Sequence, residues 1–448
     1  MTLLIGMDIG TTTIKAVALD SGMGRLVAAA SRPTPVTHPR SGWSEHDPEL
    51  LWQAAAACLS KVSEGLAGRQ IGALAIASFA EAGLPLGAGD TPLYPIMAWY
   101  DRRCQAEAAW IDRQMPAAAL HSITGQRVST SFGAVKWLWL CRHEPEVAAQ
   151  TVRWLSVPDY LLLRLTGETG TDFSLASRTL LLDQHTLRWS GAMLKLVGLD
   201  ADCLPQTGPS GTVVGRVTKA AASITGIPSG TACVLGGHDH LCAALAAGAV
   251  EPGAVVDSSG TAEALVAVLP RFHSSPPVAA AGYACYAHVV PGAYVFKGGL
   301  KAAGGSVEWL ARRFAGTLPG DENGEVPYDE LTATAASGLG IRAGPVWLPH
   351  LLGSGTPEGD PGSRGALVGL RAEHDQGDII RAVLESLGFW LRHNLEEVQR
   401  LTGQAPGQVV VLGGTLRIGF LAQLKADILG RPVAVAEVPE AAAAGAAL

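Results

Sequence analysis

The sequence predicts an α/β protein built as two related domains that face one another across a shared cleft. Three observations predict it: a length of 448 residues, apolar strand-like runs alternating with amphipathic helical stretches, and a strand–Asp–Gly/Thr–strand device that occurs once in each half. At about 150 residues per domain this length allows two or three domains and a large buried core. Charged residues make up 16% of the chain against a typical 25% or so, and hydrophobic residues 48%, so the composition excludes a disordered chain. A formal net charge of −7 without a Lys/Arg run excludes a dedicated nucleic-acid binder and favours small-molecule chemistry.

The elements follow in order. LLIGMDIG and IKAVALD, joined through Gly10-Thr11-Thr12-Thr13, read as a hairpin, and LVAAASRPT as the next strand. Asp47 as N-cap and Pro48 at the first helical position start a helix over DPELLWQAAAACLSKV. IGALAIASF from Ile71 is a buried strand, and the polar segment beyond it carries Trp99-Tyr100-Asp101-Arg102-Arg103, where a strand end commonly lines a site. VKWLWLCRHEPEV and WLSVPDYLLLRLTGE have helical apolar faces, and TDFSLASRTLLLD reads as a short loop entering a strand.

AVVDSSGTAEALVAV, from Ala254 to Val268, repeats the opening hairpin and its Asp, so the seam falls between Leu245 and Pro252 and divides the chain into 1–245 and 246–448. An Ala/Gly-rich segment, GGLKAAGGSVEWLARRF, a Gly/Pro-dense loop, a long helix and the strand QVVVLGGT follow. The sequence stops at AEVPEAAAAGAAL, inside a helical pattern, which reads as a truncated second domain with an apolar face lacking partners. No basic n-region or spanning apolar run is present, so a cytoplasmic, membrane-free protein is expected. Seven scattered cysteines without a C-x-x-C pair read as reduced thiols.

Several constellations could carry chemistry. In Asp8-Ile9-Gly10-Thr11-Thr12-Thr13, successive N–H groups and hydroxyls suit phosphate oxygens and Asp8 suits a hydrated Mg²⁺, with an ordinary tight turn as the alternative. There is no Gly-Lys dipeptide, hence no Walker A loop, and no protein-kinase H-R-D or D-F-G triplet. In VLGGHDHLCAALAAG, Asp239 ends a strand and opens a helix, where it could accept a proton from a hydroxyl or serve as a helix N-cap. Gly413-Gly414 after VVVL would let a flat base lie against backbone or simply form a turn.

Taken together, MDIGTTTIKAVALD, GWSEHDPELLW, Trp99-x-Asp101-x-Arg103, VPDYLLLRLTGE, TDFSLAS, GGHDH, DSSGT, AAGGSVEWL, RGALVGL and VVLGGTLR resemble the FGGY family of carbohydrate kinases along essentially the whole chain. The resemblance implies two ribonuclease-H-like domains of the actin-like ATPase superfamily flanking a central cleft, with a sugar or polyol on the first and ATP on the second. It implies Asp239 as the base that deprotonates the attacking hydroxyl, Mg²⁺ near Asp8, and phosphate contacts from Gly10, Thr11, Thr12, Thr13, Gly260 and Thr261. Gly304, Gly305, Gly413 and Gly414 match its nucleotide-side segments, and Glu81, Trp99 and Asp101 fall where substrate is bound, with core packing as the alternative for Trp99. A homodimer is expected by family analogy alone.

Two segments depart from the family pattern. Ser78-Phe79-Ala80-Glu81-Ala82-Gly83 stands where many pentulose kinases read Gly-Gln-Met-His-Gly, and Gly353-Ser354-Gly355-Thr356-Pro357 replaces Gly-Glu-Arg-x-Pro, removing an arginine. A non-catalytic sugar- or nucleotide-binding sensor on the same scaffold is the rival expectation.

Overall fold

The N-terminal hairpin forms because its two apolar runs can each be covered on both faces. In the computed structural model, which describes residues 2–66, 68–313, 328–337 and 344–448, it founds the first of two six-stranded sheets. We number only the strands of these two sheets. The first comprises β1 (Leu3–Ile9), β2 (Thr13–Asp20), β3 (Arg25–Pro33), β4 (Ile71–Ser78), β5 (Val213–Arg216) and β6 (Ala232–His238), in the order β5-β6-β4-β1-β2-β3. β1 runs antiparallel to β2 and parallel to β4, with Ile9 opposite both Ile14 and Ser78.

The second sheet comprises β7 (Val255–Ser259), β8 (Glu263–Leu269), β9 (Ala284–Ala287), β10 (Tyr294–Leu300), β11 (Val409–Leu412) and β12 (Ala434–Val435), in the order β9-β10-β8-β7-β11-β12. β7 is antiparallel to β8 and parallel to β11, so the plan of the first sheet recurs: a hairpin whose first strand takes a parallel neighbour. The duplication read from the sequence is therefore architectural. Its Asp is not, because Asp8 lies two residues before Gly10 whereas Asp257 lies three before Gly260. One residue of offset turns a side chain to the opposite face of a strand. Asp257 accordingly points away from the cleft and is fully buried against Lys425.

Helix Pro48–Glu64 covers the outer face of the first sheet, started by Asp47, whose carboxylate accepts the Glu49 and Leu50 amides at 2.9 Å each. The long helix Gln376–Thr402 covers the second, opened by an Asp375/Asp378 capping box and burying Ile380, Val383, Leu384, Leu387 and Leu391. A separate cluster around Trp137, Trp139, Leu180 and Leu181 fills the region inserted between β4 and β5. Between the lobes, Ala77, Leu241, Cys242 and Ala244 of the first pack directly against Val256, Val266, Tyr286 and Val295 of the second.

Two local expectations are corrected. TDFSLASRTLLLD is not a loop: Asp172 accepts the Ser174 and Leu175 amides and caps a short helix, Phe173–Ser177. The C-terminal helix, Ala441–Ala447, is not left without partners, since it buries Ala443, Ala444 and Ala447 against β1 and helix Asp239–Ala246 of the first lobe. The approach is close enough that a Cβ on Gly6 would fall 1.8 Å from the Ala443 carbonyl oxygen. All seven cysteines are free thiols, five of them buried. No helix among the described residues is long and apolar enough to cross a membrane.

Candidate active site

β6 ends at His238, and Asp239 begins the helix Asp239–Ala246 at the mouth of the inter-lobe cleft. His238, with extended backbone, is the cap residue, so Asp239 occupies the first helical position rather than the N-cap. Its Oδ1 accepts the His240 N–H at 2.5 Å and lies 3.3 Å from His238 Nε2. His238 is itself fixed by the Ser174 hydroxyl on its N–H at 2.9 Å and by Tyr286 of the second lobe, whose hydroxyl lies 3.0 Å from Nδ1. Both histidines are held neutral, their pKa values pushed well below the ordinary range: desolvation leads for His238 and the positive charge of Lys297 for His240. The strand end and helix start thus present a carboxylate whose rotamer is set from both lobes.

Asp8 faces the same space from β1. Burial pushes its pKa up to about 8, with repulsion from Asp239 adding to the effect, and its Oδ1 is a buried oxygen with no hydrogen-bond partner. Burial also raises Asp239, to about 6, against the lowering influence of Lys297. Two carboxylates on one cleft face, one with a buried orphan oxygen, form a donor set suited to a hard divalent cation.

The remaining residues identified from sequence separate into groups. Trp99, 38% exposed, is not core: its indole N–H donates to Thr11 Oγ1 at 2.9 Å, tying the segment after β4 to the first Gly-Thr turn. That turn is closed by the Gly10 N–H on the Thr13 carbonyl at 3.1 Å, and Thr12 stands exposed at its tip.

Glu81 holds a left-handed φ of 70°, a strained value for a side chain with a Cβ. Its carbonyl is gripped by Lys136 Nζ at 2.7 Å, and its Oε1 accepts both Nε and Nη2 of Arg178.

Asp101 does not present a free carboxylate. It is fully buried, accepts the Ser44 amide at 2.7 Å, and is clasped by the Arg103 guanidinium, which also reaches Glu45 at 2.7 Å. Its place is structural, holding the turn that carries Trp99.

On the second lobe, Gly260, Thr261, Gly304, Gly305, Gly413 and Gly414 come together. The Gly304 and Gly305 N–H groups donate to the Gly260 and Thr261 carbonyls at 3.0 and 2.9 Å, which seats the start of helix Gly304–Arg313 on the β7–β8 turn. A Cβ on Gly304 would lie 2.4 Å from the Gly260 oxygen, and Gly413, at φ 115°, would place one 2.3 Å from Ser259 oxygen. These glycines are demanded by backbone packed on backbone. The Gly353–Pro357 segment is an internal brace instead: the Thr356 hydroxyl and carbonyl engage Asn394, and the carbonyl also takes the Trp390 indole N–H at 2.9 Å.

Sequence reasoning missed Arg178, Gln126, Tyr286 and Lys297. Arg178 joins Glu81 to Gln126, whose Oε1 accepts its Nη1 at 2.7 Å, and its guanidinium lies over the rings of Phe132 and Tyr286. The available signal was a lone cation in a run of small and apolar residues, at Arg178 in SLASRTLLL and at Lys297 in YVFKGGL. Missed too was the buried group of Lys425, Asp257 and Glu263, with Lys425 Nζ at 2.5 and 2.6 Å from the two carboxylates.

The fold and this arrangement define a two-lobed α/β protein with a carboxylate-bearing cleft. The chain belongs to the FGGY family of carbohydrate kinases, matching the N-terminal domain of that family over residues 3–246 and its C-terminal domain over residues 255–448. It is 32% identical over 428 residues to the xylulose kinase of Escherichia coli strain K12, covering 95% of this chain and 85% of the relative. It is also 32% identical over 457 residues to the glycerol kinase of Gloeobacter violaceus, covering 99% and 86%. The crystal structure of xylulose kinase from Rhodospirillum rubrum superposes with a TM-score of 0.91 at 30% identity, covering 99% of this chain and 88% of the other. The chain is thus a carbohydrate kinase of the FGGY fold.

Proposed function

We propose that this kinase transfers the γ-phosphoryl group of ATP to a hydroxyl of a small sugar or polyol, with Asp239 as the general base. The observation that carries the reading is the position of Asp239 at the β6–helix junction, fixed by His238 and His240 and sharing the first lobe's cleft face with Asp8. In this reading the acceptor hydroxyl hydrogen-bonds to the Asp239 carboxylate. As its oxygen forms a bond to the γ-phosphorus, the bond from that phosphorus to the bridging oxygen breaks, the proton passes to Asp239, and ADP leaves. A pKa raised by burial makes Asp239 a stronger base than an exposed aspartate while leaving it largely ionised at neutral pH.

Asp8 fits a magnesium ion accompanying ATP, because its buried orphan oxygen lacks any protein donor and its repulsion by Asp239 would be offset there. Such an ion neutralises phosphate charge when bound. The Gly10–Thr13 and Gly260–Thr261 turns face the phosphates, and the Gly304–Gly305 and Gly413–Gly414 segments offer backbone flat enough for the nucleoside. Trp99, braced on Thr11, offers a ring to the C–H face of the acceptor, and Glu81 with Arg178 its polar wall.

The test is ADP release from ATP and magnesium across a panel of glycerol, alditols and ketoses, with Asp239→Asn alongside. Acceptor-dependent release that the substitution abolishes supports the reading. ATP or sugar binding without release under any acceptor turns it toward a sensor.

A further inference from the structure

Three charged residues lie in the strands of the second sheet: Asp257 in β7, Glu263 in β8 and Lys297 in β10. The first two project to the outer face, where Lys425 meets both. Lys297 projects to the other. Its neighbours Val295 and Phe296 belong to the inter-lobe and outer clusters respectively, so alternation places Lys297 on the inter-lobe face. Its cross-strand partners, Val266 and Ala284, lie on that face too.

Tyr286, two residues along β9 from Ala284, touches His238 with its hydroxyl and lies beneath the Arg178 guanidinium. Lys297 therefore reaches out of the second lobe into the first, toward Asp239 and the Glu81–Arg178 pair.

The Lys297 ammonium forms no hydrogen bond or ion pair among the described residues. Glu81 is already taken by Arg178, and Asp239 by the His240 amide and His238. Burial pushes Lys297 down to about 8, and the nearby Arg178 charge adds to the effect. A half-buried ammonium without a hydrogen-bonding partner is a costly arrangement that an anion relieves. Arg178, Glu81 and Asp239 all act on Lys297. Glu81 and Arg178, bonded to each other beside Tyr286, are the polar wall assigned above to the acceptor, so Lys297 stands with the acceptor-side groups.

Resting on the kinase reading above, we propose that Lys297 is a specificity-determining residue that binds a carboxylate on the acceptor, so that the preferred substrate is a small polyhydroxylated acid. The hydroxyl given to Asp239 and the carboxylate given to Lys297 would sit on one short carbon chain, with Trp99 and Arg178 flanking it.

The test pairs each acid with its neutral counterpart: erythronate with erythritol, xylonate with xylitol, gluconate with glucitol. Acceptor binding is measured by calorimetry and turnover by ADP release, for the full chain and for Lys297→Met and Lys297→Gln, each checked for an unchanged melting temperature. We expect at least one acid to bind more tightly than its alditol, and both substitutions to weaken that acid by about tenfold to a hundredfold while leaving alditol binding unchanged.

Equal binding of acids and alditols overturns the proposal whatever the turnover. A uniform fall in kcat for neutral acceptors in both variants also overturns it, and moves Lys297 onto the transferred phosphoryl group. An acid that binds through Lys297 without ADP release upholds the proposal and overturns the kinase reading instead.

Discussion

The two sheets share a plan and differ in where they put their charge. In the first, Asp8 and Asp239 face the cleft with no cation among the described residues hydrogen-bonded to either, and burial raises both pKa values. In the second, Asp257 and Glu263 are turned outward onto Lys425, all three fully buried, and the charged residue that its strands turn to the cleft face is Lys297. One residue of register separates Asp8 from the position that Asp257 would need to match it. The lesson is that a duplicated hairpin can conserve shape while redistributing chemistry: the first copy leaves Asp8 Oδ1 without a hydrogen bond on the cleft face, and the second buries Asp257 against Lys425.

The comparison breaks first at Asp239, the carboxylate proposed as the base. Asp239→Asn should lower kcat by about 10²–10⁴-fold in ADP-release assays with acceptor binding by calorimetry retained, because only the proton acceptor is removed. A loss of binding equal to the loss of rate would place Asp239 among the substrate-holding groups.

At the matching site of the second sheet the damage should be to stability instead. Lys425→Met strands two buried carboxylates and should cost about 3–5 kcal/mol in denaturant unfolding. Adding Asp257→Asn and Glu263→Gln should restore most of it, since the uncompensated charge is then gone. If the single variant unfolds like the parent chain, the buried group contributes nothing.

A third measurement sharpens the contrast through pH. Asp8 folds with a raised pKa, so between about pH 4 and pH 8 the unfolded chain is deprotonated there while the folded chain still holds a proton. Stability without divalent cations must therefore fall as pH rises through that window, by up to about 1.4 kcal/mol per pH unit from this group. Asp8→Asn should flatten the slope, and added magnesium should oppose it in the parent chain. An unchanged slope in Asp8→Asn would show that the proton is held elsewhere.

The smallest effect is expected at Trp99→Phe, which removes one exposed hydrogen bond to Thr11. Stability should change by less than about 1 kcal/mol, with the consequence confined to a modest rise in acceptor KM.

Much of this was legible in the sequence because local chemistry and global fold agree. Asp47-Pro48 announced a helix start, continuous apolar runs announced buried strands, and the Gly-Thr turns announced the two opposed hairpins. GGHDH was legible as a strand–helix junction, and Asp239 sits there.

What escaped depended on long-range pairing. Asp101 reads as an available carboxylate until Ser44, some sixty residues earlier, and Arg103 close both of its oxygens. Arg178 meets Glu81 across 97 residues of sequence, and Lys425 meets Asp257 across 168, separations at which no periodicity carries a signal. The face of Asp257 turned on a single residue of register, a quantity that spacing alone cannot assign before the strand pairs are known.

The helix Ala441–Ala447 lies late in the sequence yet packs on β1, almost the earliest part of it, with Gly6 under Ala443 and Gly445 against the Cys242 carbonyl. During synthesis, then, the first lobe emerges with one side of its central strand uncovered and must wait for residues 441–447 to arrive. The lobes are two by architecture but one by assembly: a ribosome that stalls before residue 441 leaves behind not a finished first lobe but an open sheet face, a natural target for chaperones and proteases.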